Sequence, residues 1–282
     1  MALLSSSAFA QSTFYKYYFG LGAAKANLHE LGSGNYLTGM ARNQGTSILD
    51  PLGNVLHTQS YKIDTFLFLQ SVKRYTDNDF AFVGAYRKDS CAIVQGGVRS
   101  DAVVGRMDSL GNTYDVHRYA LNAPICSNLC RNLEITSAND VIAFGGELFF
   151  ALRVDAVGSL QWAKWFNHRG GFRFFKELPG GDLIAGINMD TAGVVVARLD
   201  ALGNFLWCKS YIRPRGMIAD CVIESDDAFV ITGYTDSIKS TDPFTLPPNY
   251  HPKLFMMKLN GNGEVQWCKG YDNEPYHWYT RL

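Results

Sequence analysis

The chain has no excess charge of either sign: 26 Lys and Arg are matched by 26 Asp and Glu over 282 residues. A nucleic acid or an anionic membrane surface selects for a basic footprint, so neither partner fits this composition. Long apolar runs are missing as well, and no stretch approaches the ~18–20 residues that a helix needs to span a bilayer. Chemical motifs are equally scarce. No Gly-x-Ser-x-Gly elbow occurs, no glycine loop of the kind that cradles phosphate, and no Ser, His and acid set at a recognisable spacing. Catalytic residues are therefore unknown, and no residue is assigned to a cofactor or a metal.

What the chain has in place of motifs is repetition. Leu199–Tyr211, LDALGNFLWCKSY, recurs with variations at Leu49–Tyr61, Met107–Tyr119, Val154–Phe166 and Leu259–Tyr271. In each copy an Asp or Asn is followed three residues later by Gly. The acid side chain can accept from backbone N–H groups ahead of it and Gly takes positive φ freely, which is hairpin chemistry. After the turn, Phe205, Trp207, Lys209 and Tyr211 fall on one face of a strand and Leu206, Cys208 and Ser210 on the other. Trp162 and Trp267 occupy the place of Trp207, so a large ring recurs at one offset and predicts a packing role shared between units.

A second phrase precedes each copy: GNYLTG from Gly34, NDFAFVG from Asn78, NDVIAFG from Asn139, GDLIAG from Gly181 and DDAFVITG from Asp226. Each reads as a polar turn, a short β-rich run and a closing Gly. The Asp or Asn of the first phrase stands at positions 50, 108, 155, 200 and 260, spaced by 58, 47, 45 and 60 residues. Several short strands in a period of that size predict an all-β propeller of four-stranded blades. Five repeats are recognisable, at 22–61, 62–119, 120–166, 167–211 and 212–271. Residues 11–21 and 272–282 read as parts of a closing blade, because Phe14, Lys16 and Tyr18 repeat the outer-strand pattern without its turn. That makes 11–282 one propeller domain; its C-terminal end reads as truncated, and its start as truncated, misassigned or a weak signal over-read.

Residues 1–10 read as a signal-peptide remnant, with Ala8-Phe9-Ala10 as a small-x-small cleavage site before Gln11. Export follows, to the medium or the cell surface, with the periplasm as the alternative. Two segments lengthen their repeats between the second and third strands, Arg87–Ser100 and Thr235–Pro252. Insertions at equivalent points of stacked repeats emerge on one rim, so a protein or a glycan is the expected partner at that loop face.

The alternation of K/R-L-D-x-x-G-N-x-x-W-x-K-x-Y with D-x-F-x-x-x-G resembles the tandem repeats of exported bacterial β-propellers, many of which carry a C-terminal sorting domain for type IX secretion. The resemblance covers the chain from Phe14 onward. It implies the architecture and export; it implies no activity. Quinoprotein-type propellers are similar in the run Leu202–Trp207. However, their Thr before the turn Gly is replaced by Leu52, Leu110, Val157, Leu202 and Asn262, so neither a quinone nor its calcium is carried over.

The remaining reactive residues are dispersed. Cys208 and Cys268 stand at the same place in neighbouring repeats, which predicts a shared buried slot. Cys126 and Cys130 are spaced for a local bridge or for half of a metal site, and Cys91 and Cys221 stand apart. The histidines at 29, 57, 117, 168, 251 and 277 form no repeated ring, so solvated or hydrogen-bonded roles are expected. The turn acids Asp50, Asp108, Asp155 and Asp200, and the run Asn260–Glu264, offer too few oxygens per loop for calcium and read as caps, as do Asp140 and Asp226-Asp227. Gly170-Gly171 and Gly180-Gly181 read as loop glycines. Tyr250, Tyr276 and Trp278 could stack on sugars if exposed. The leading functional expectation is a non-enzymatic binding or adhesion scaffold of unknown ligand. The alternative is a hydrolase, lyase or quinoprotein-like enzyme working over the central channel. Convergent acids or a His cluster at the channel mouth would favour the enzyme, and a small, apolar lining the scaffold.

Overall fold

A computed structural model describes residues 28–40, 45–60, 67–90, 98–121, 130–145, 148–189, 193–212, 216–224, 228–236 and 252–271. These residues are strands and turns, and no helix occurs among them. Blade 1 contains β1 (Leu28–Glu30), β2 (Tyr36–Met40), β3 (Gly45–Leu49) and β4 (Val55–Ser60), and blade 2 contains β5 (Leu67–Arg74), β6 (Asp79–Ser90), β7 (Val98–Asp108) and β8 (Thr113–Tyr119). Blade 3 contains β9 (Cys130–Ile135), β10 (Val141–Gly145), β11 (Leu148–Val154) and the first part of β12 (Leu160–Glu177). Blade 4 takes the rest of β12, then β13 (Leu183–Met189), β14 (Gly193–Leu199) and β15 (Phe205–Ile212). Blade 5 contains β16 (Gly216–Ile223), β17 (Phe229–Asp236), β18 (Pro252–Leu259) and β19 (Val265–Tyr271). Every pairing within a blade is antiparallel between consecutive strands, so the five sheets are propeller blades.

The long β12 corrects one expectation. It pairs with β11 as far as Arg169 and with β13 from Gly170 onward, so one strand closes blade 3 and opens blade 4. Gly170-Gly171 lies inside this strand and not in a loop; Gly170, at φ 146°, takes the backbone through the change of sheet.

The alternation of strand residues decides how the blades pack. Phe80 and Phe82 of β6 join Leu37 and Ile48 of blade 1 in one buried cluster, whereas Ala81 and Val83 join Leu133 and Phe150 of blade 3 in another. Likewise Leu183 and Ala185 face blade 3 while Ile184 faces blade 5. Each of the four clusters straddles two neighbouring blades, and the second strands of blades 3 and 4, covered on both faces, are apolar throughout their buried runs. Stability therefore resides in the interfaces between repeats.

The turn phrase forms the same five-residue structure in all five blades. Oδ1 of Asp200 accepts the N–H groups of Leu202 (2.9 Å) and Asn204 (2.8 Å), and Gly203 at φ 74° returns its N–H to the Asp200 carbonyl at 2.9 Å. Asn204 Nδ2 donates to the second carboxylate oxygen at 2.8 Å. These bonds hold the Asp200 carboxyl below its usual range, the Asn204 side chain first among them. In blade 5 both partners change: Asn260 takes the acid's place and its Nδ2 donates to Glu264 Oε2 at 2.9 Å, so the bond survives with its polarity reversed.

The phrase also binds across the blade interface. Trp162 Nε1 donates to the Ala201 carbonyl at 3.0 Å, and Arg153 reaches the same oxygen at 3.1 Å. One blade later Trp207 and Arg198 converge on the Gly261 carbonyl at 3.1 and 2.9 Å, Lys209 donates to the Asn262 carbonyl, and Tyr211 donates to the Gly263 carbonyl at 2.7 Å. Blade 2 has Asp115 where the Trp would stand. It keeps two of the other bonds, Arg106 to the Ala156 carbonyl and Tyr119 to that of Gly158, while His117 replaces the lysine and turns to Asp115. The repeated phrase is thus half turn and half clamp, and in blades 2, 3 and 4 the clamp closes on the turn of the next repeat.

The cysteine expectation fails for a geometric reason. Cys208 and Cys268 are exposed free thiols, because β15 and β19 are outermost strands, at the rim where adjacent blades diverge. Cys130 is a buried free thiol, so the Cys126–Cys130 bridge is not formed, and Cys221 is likewise buried and free. Cys91 and Cys126 lie outside the described residues, as do His251, His277, Tyr250, Tyr276 and Trp278. So do the ends read as signal remnant and closing blade, and positions 91–97 and 237–251 of the two insertions.

Candidate functional site: a charged cavity on the propeller axis

Each innermost strand ends in a short turn that begins at Leu31, Tyr75, Thr136, Leu178 or Glu224, where the N–H closes onto a carbonyl four residues later. Two positions before the first four of these turns stand His29, Lys73, Glu134 and Lys176, and all four line one cavity. Ser71, Asn132, Phe174 and Asp220 come from four positions before a turn and line the same space. The cavity measures about 350 Å³ and draws on β1, β5, β9, β12 and β16, the inner strands of all five blades. Antiparallel order puts these turns and the Asp-x-x-Gly turns at one end of the blades, and the two insertions leave from the other end. The charged residues sit toward the turn end.

Glu134 is the centre of the charge cluster. Its Oε1 meets Lys73 Nζ at 2.5 Å and its Oε2 meets Lys176 Nζ at 3.4 Å, so one carboxylate serves two cations from the blades on either side. It is half-buried among them. Arg173 and Asp220 also face the cavity, Asp220 accepting the Cys221 N–H at 2.9 Å. Asn132 donates to the Arg173 carbonyl at 3.4 Å, which ties β9 to β12. Among the described residues the Arg173 guanidinium has neither a hydrogen-bond partner nor an ion-pair partner.

His29 stands on the wall with Nε2–H donated to the Val72 carbonyl at 2.9 Å and its ring 5.5 Å from that of Phe80. Burial lowers its pKa; the bond to Val72 opposes that, and the positive charges of Arg74 and Lys73 add to the lowering. The ring is therefore neutral at pH 7, with Nε2 committed to Val72 and Nδ1 as the remaining acceptor.

Two further histidines lie away from the cavity. His57 is exposed on β4, and His117 bonds Asp115 Oδ1 at 2.6 Å and covers Gly158 of the next blade. The described residues contain no group of three or more His, Cys, Asp or Glu side chains placed to hold a metal ion. The turn acids lie at the rim as caps and contribute nothing to the cavity. The lining matches neither of the alternatives set by the sequence: it is neither a cluster of acids or histidines nor a small, apolar surface, but a basic-rich network.

Sequence reasoning passed over Lys73, Asn132, Glu134, Arg173, Lys176 and Asp220, because no two of the repeats carry the same set. The signal was present in their spacing, at two or four residues before the turn of the second phrase. Arg173 escapes even that rule, because β12 shifts register between Phe172 and Phe174.

The sequence matches no protein-family model and no curated protein. Its fold is similar to solved β-propellers. A protein of unknown function from Bacteroides caccae superposes with a TM-score of 0.54 at 10% identity, over 88% of this chain and 82% of that one. Streptogramin B lyase superposes at 0.51 with 10% identity, over 89% and 83%. Virginiamycin B lyase from Staphylococcus aureus superposes at 0.50 with 11% identity, over 88% and 84%. Likeness at this identity carries the fold alone. No helix among the described residues is long and apolar enough to cross a membrane.

Proposed function

We propose that this protein is an exported, non-enzymatic propeller that serves as a binding scaffold and seats a small ligand in the axial cavity. One observation carries the reading: side chains from all five inner strands converge on a cavity of about 350 Å³, within the range of about 300–1,000 Å³ usual for ligand sites. The polar groups there, the Arg173 guanidinium apart, are tied to one another or to backbone. Glu134 is held by two lysines, and His29 Nε2–H is spent on Val72. This is the form of a pre-organised recognition surface, in which rigid strands fix the donors before a ligand arrives.

The sequence also pointed to a protein or glycan partner at the insertion rim, and that surface remains part of the proposal as a second contact face. The test is a thermal-shift and native mass-spectrometry screen of the full chain against charged and neutral metabolites. Recovery of each bound compound would follow prolonged incubation. The expected outcome is a ligand that raises the melting temperature, is recovered unchanged and no longer binds after Lys73→Ala. Conversion of the bound compound would replace this reading with the enzymatic one.

A further inference from the structure

We propose that the axial cavity selects an oxyanion, the carboxylate or phosphate group of a small metabolite, and that Arg173 is the residue that takes it. This rests on the reading of the cavity as a ligand site and adds the chemistry of the ligand.

Three cations, Lys73, Arg173 and Lys176, face the cavity with two carboxylates, Glu134 and Asp220. Glu134 is shared between both lysines, so it balances one of them and leaves the other in surplus. Asp220 forms no ion pair among the described residues and spends one oxygen on the Cys221 N–H. Arg173 thus brings five N–H donors in a planar fork to a polar cavity with no acceptor engaged among the described residues. A donor set of that kind costs free energy when water is expelled from around it unless an acceptor replaces the water. The matching acceptor is a planar or tetrahedral oxyanion, which a guanidinium grips through two parallel bonds. Lys176, on the same strand three residues away, is placed to supply the second positive charge.

The wall itself reports on the field. His29 already feels Lys73 and Arg74 as positive neighbours, with Val72 and Phe80 completing its surroundings. An anion in the cavity adds negative charge and so raises the His29 pKa. A neutral ligand changes it little.

The experiment titrates the full chain with inorganic phosphate, with succinate and with the neutral probe glycerol at constant ionic strength. The readouts are the Arg173 Nε–H resonance, the His29 ring resonances across pH, and calorimetry. The expected result is saturable binding of phosphate or succinate, whichever the cavity prefers, with a raised His29 pKa. Affinity falls at least tenfold in both Arg173→Gln and Lys176→Gln, each checked for a native melting transition. The two anions distinguish phosphate from carboxylate sources. If glycerol perturbs these resonances and neither anion does, the oxyanion inference fails while the cavity remains a ligand site. If no probe binds, both fall. Anion binding that persists unchanged in both variants overturns the role of Arg173.

Discussion

Trp207 donates its indole N–H to the carbonyl of Gly261, 54 residues further along the chain, at 3.1 Å. The same ring covers Gly263, where a Cβ would lie 2.8 Å from Trp207 Cη2 and 2.8 Å from the Tyr211 hydroxyl. A turn and a clamp that read as one phrase in each repeat are therefore partners across repeats. Four predictions follow this clamp, its titration and the turn that it holds.

Substitution of Gly263 by Ala incurs two penalties. The first is the left-handed backbone at φ 72°, which costs a residue with a Cβ about 1–2 kcal/mol. The second is overpacking against Trp207 and Tyr211, at about 1–3 kcal/mol. Gly34 has a similar φ of 79° with nothing within 4 Å, so Gly34→Ala carries only the first. Urea denaturation should show Gly263→Ala less stable than Gly34→Ala by at least 1 kcal/mol or so. Equal losses would mean that the clamp contributes nothing at this position.

Trp207 and Trp267 hold the same place in consecutive repeats, and each has a lysine within cation–π range, at 5.6 and 5.9 Å. They differ in surroundings: Trp207 seats a turn, whereas Trp267 is 36% exposed and every residue of β19 is exposed. Trp207→Ala should cost about 2–4 kcal/mol, near the range for large rings removed from packed sites, and Trp267→Ala less than about 1 kcal/mol. Equilibrium unfolding of the two variants side by side decides it.

Tyr119 donates to the Gly158 carbonyl at 2.6 Å, and its pKa is pushed up to about 12, by burial first and then by the charges of Asp115, Asp155 and Cys130. The folded pKa lies above the unfolded value of about 10, so this tyrosine's contribution is complete below pH 10 or so and is lost as pH rises toward 12. The shift corresponds to at most about 2–3 kcal/mol. Stability should decline over that window in the native chain, and the decline should be shallower in Tyr119→Phe. Spectrophotometric titration combined with denaturation at each pH is the measurement. Tyr211, also raised by burial and bonded to Gly263, contributes in the same direction.

The reversed turn of blade 5 predicts a compensated exchange. Asp200→Asn places two amides against each other at Asn204 and should lower the melting temperature. Adding Asn204→Glu recreates the Asn260–Glu264 arrangement and should recover most of the loss. Calorimetric melting of the two single variants and the double variant tests this; a double variant no better than the sum of its parts would show that the side-chain bond is idle.

Much of the fold was legible because a propeller repeats. The spacing of Asp50, Asp108, Asp155, Asp200 and Asn260 gave the period, the Asp-x-x-Gly chemistry gave the hairpin, and period-two alternation gave the strands. The recurrence of Trp162, Trp207 and Trp267 announced a shared packing role, but not with what. The ring's partner is a backbone carbonyl in the following repeat, and a carbonyl has no letter of its own. The Cys208 and Cys268 expectation failed because equivalence in the repeat fixes radial position, and the outermost position of a blade is poorly covered.

The candidate site was legible least of all. His29, Lys73, Glu134 and the pair Arg173 and Lys176 are separated by tens of residues, differ from repeat to repeat and match no motif; only the closing of inner strands around one axis makes them neighbours. Sequence alone determined what is local and periodic: turn chemistry, strand alternation, the number of recognisable units and the near-neutral surface. Tertiary structure decided which face of each strand meets the next blade, which thiols are covered, and which charges share a cavity. Those properties depend on distances between segments far apart in the chain, which no local rule of backbone or side chain specifies.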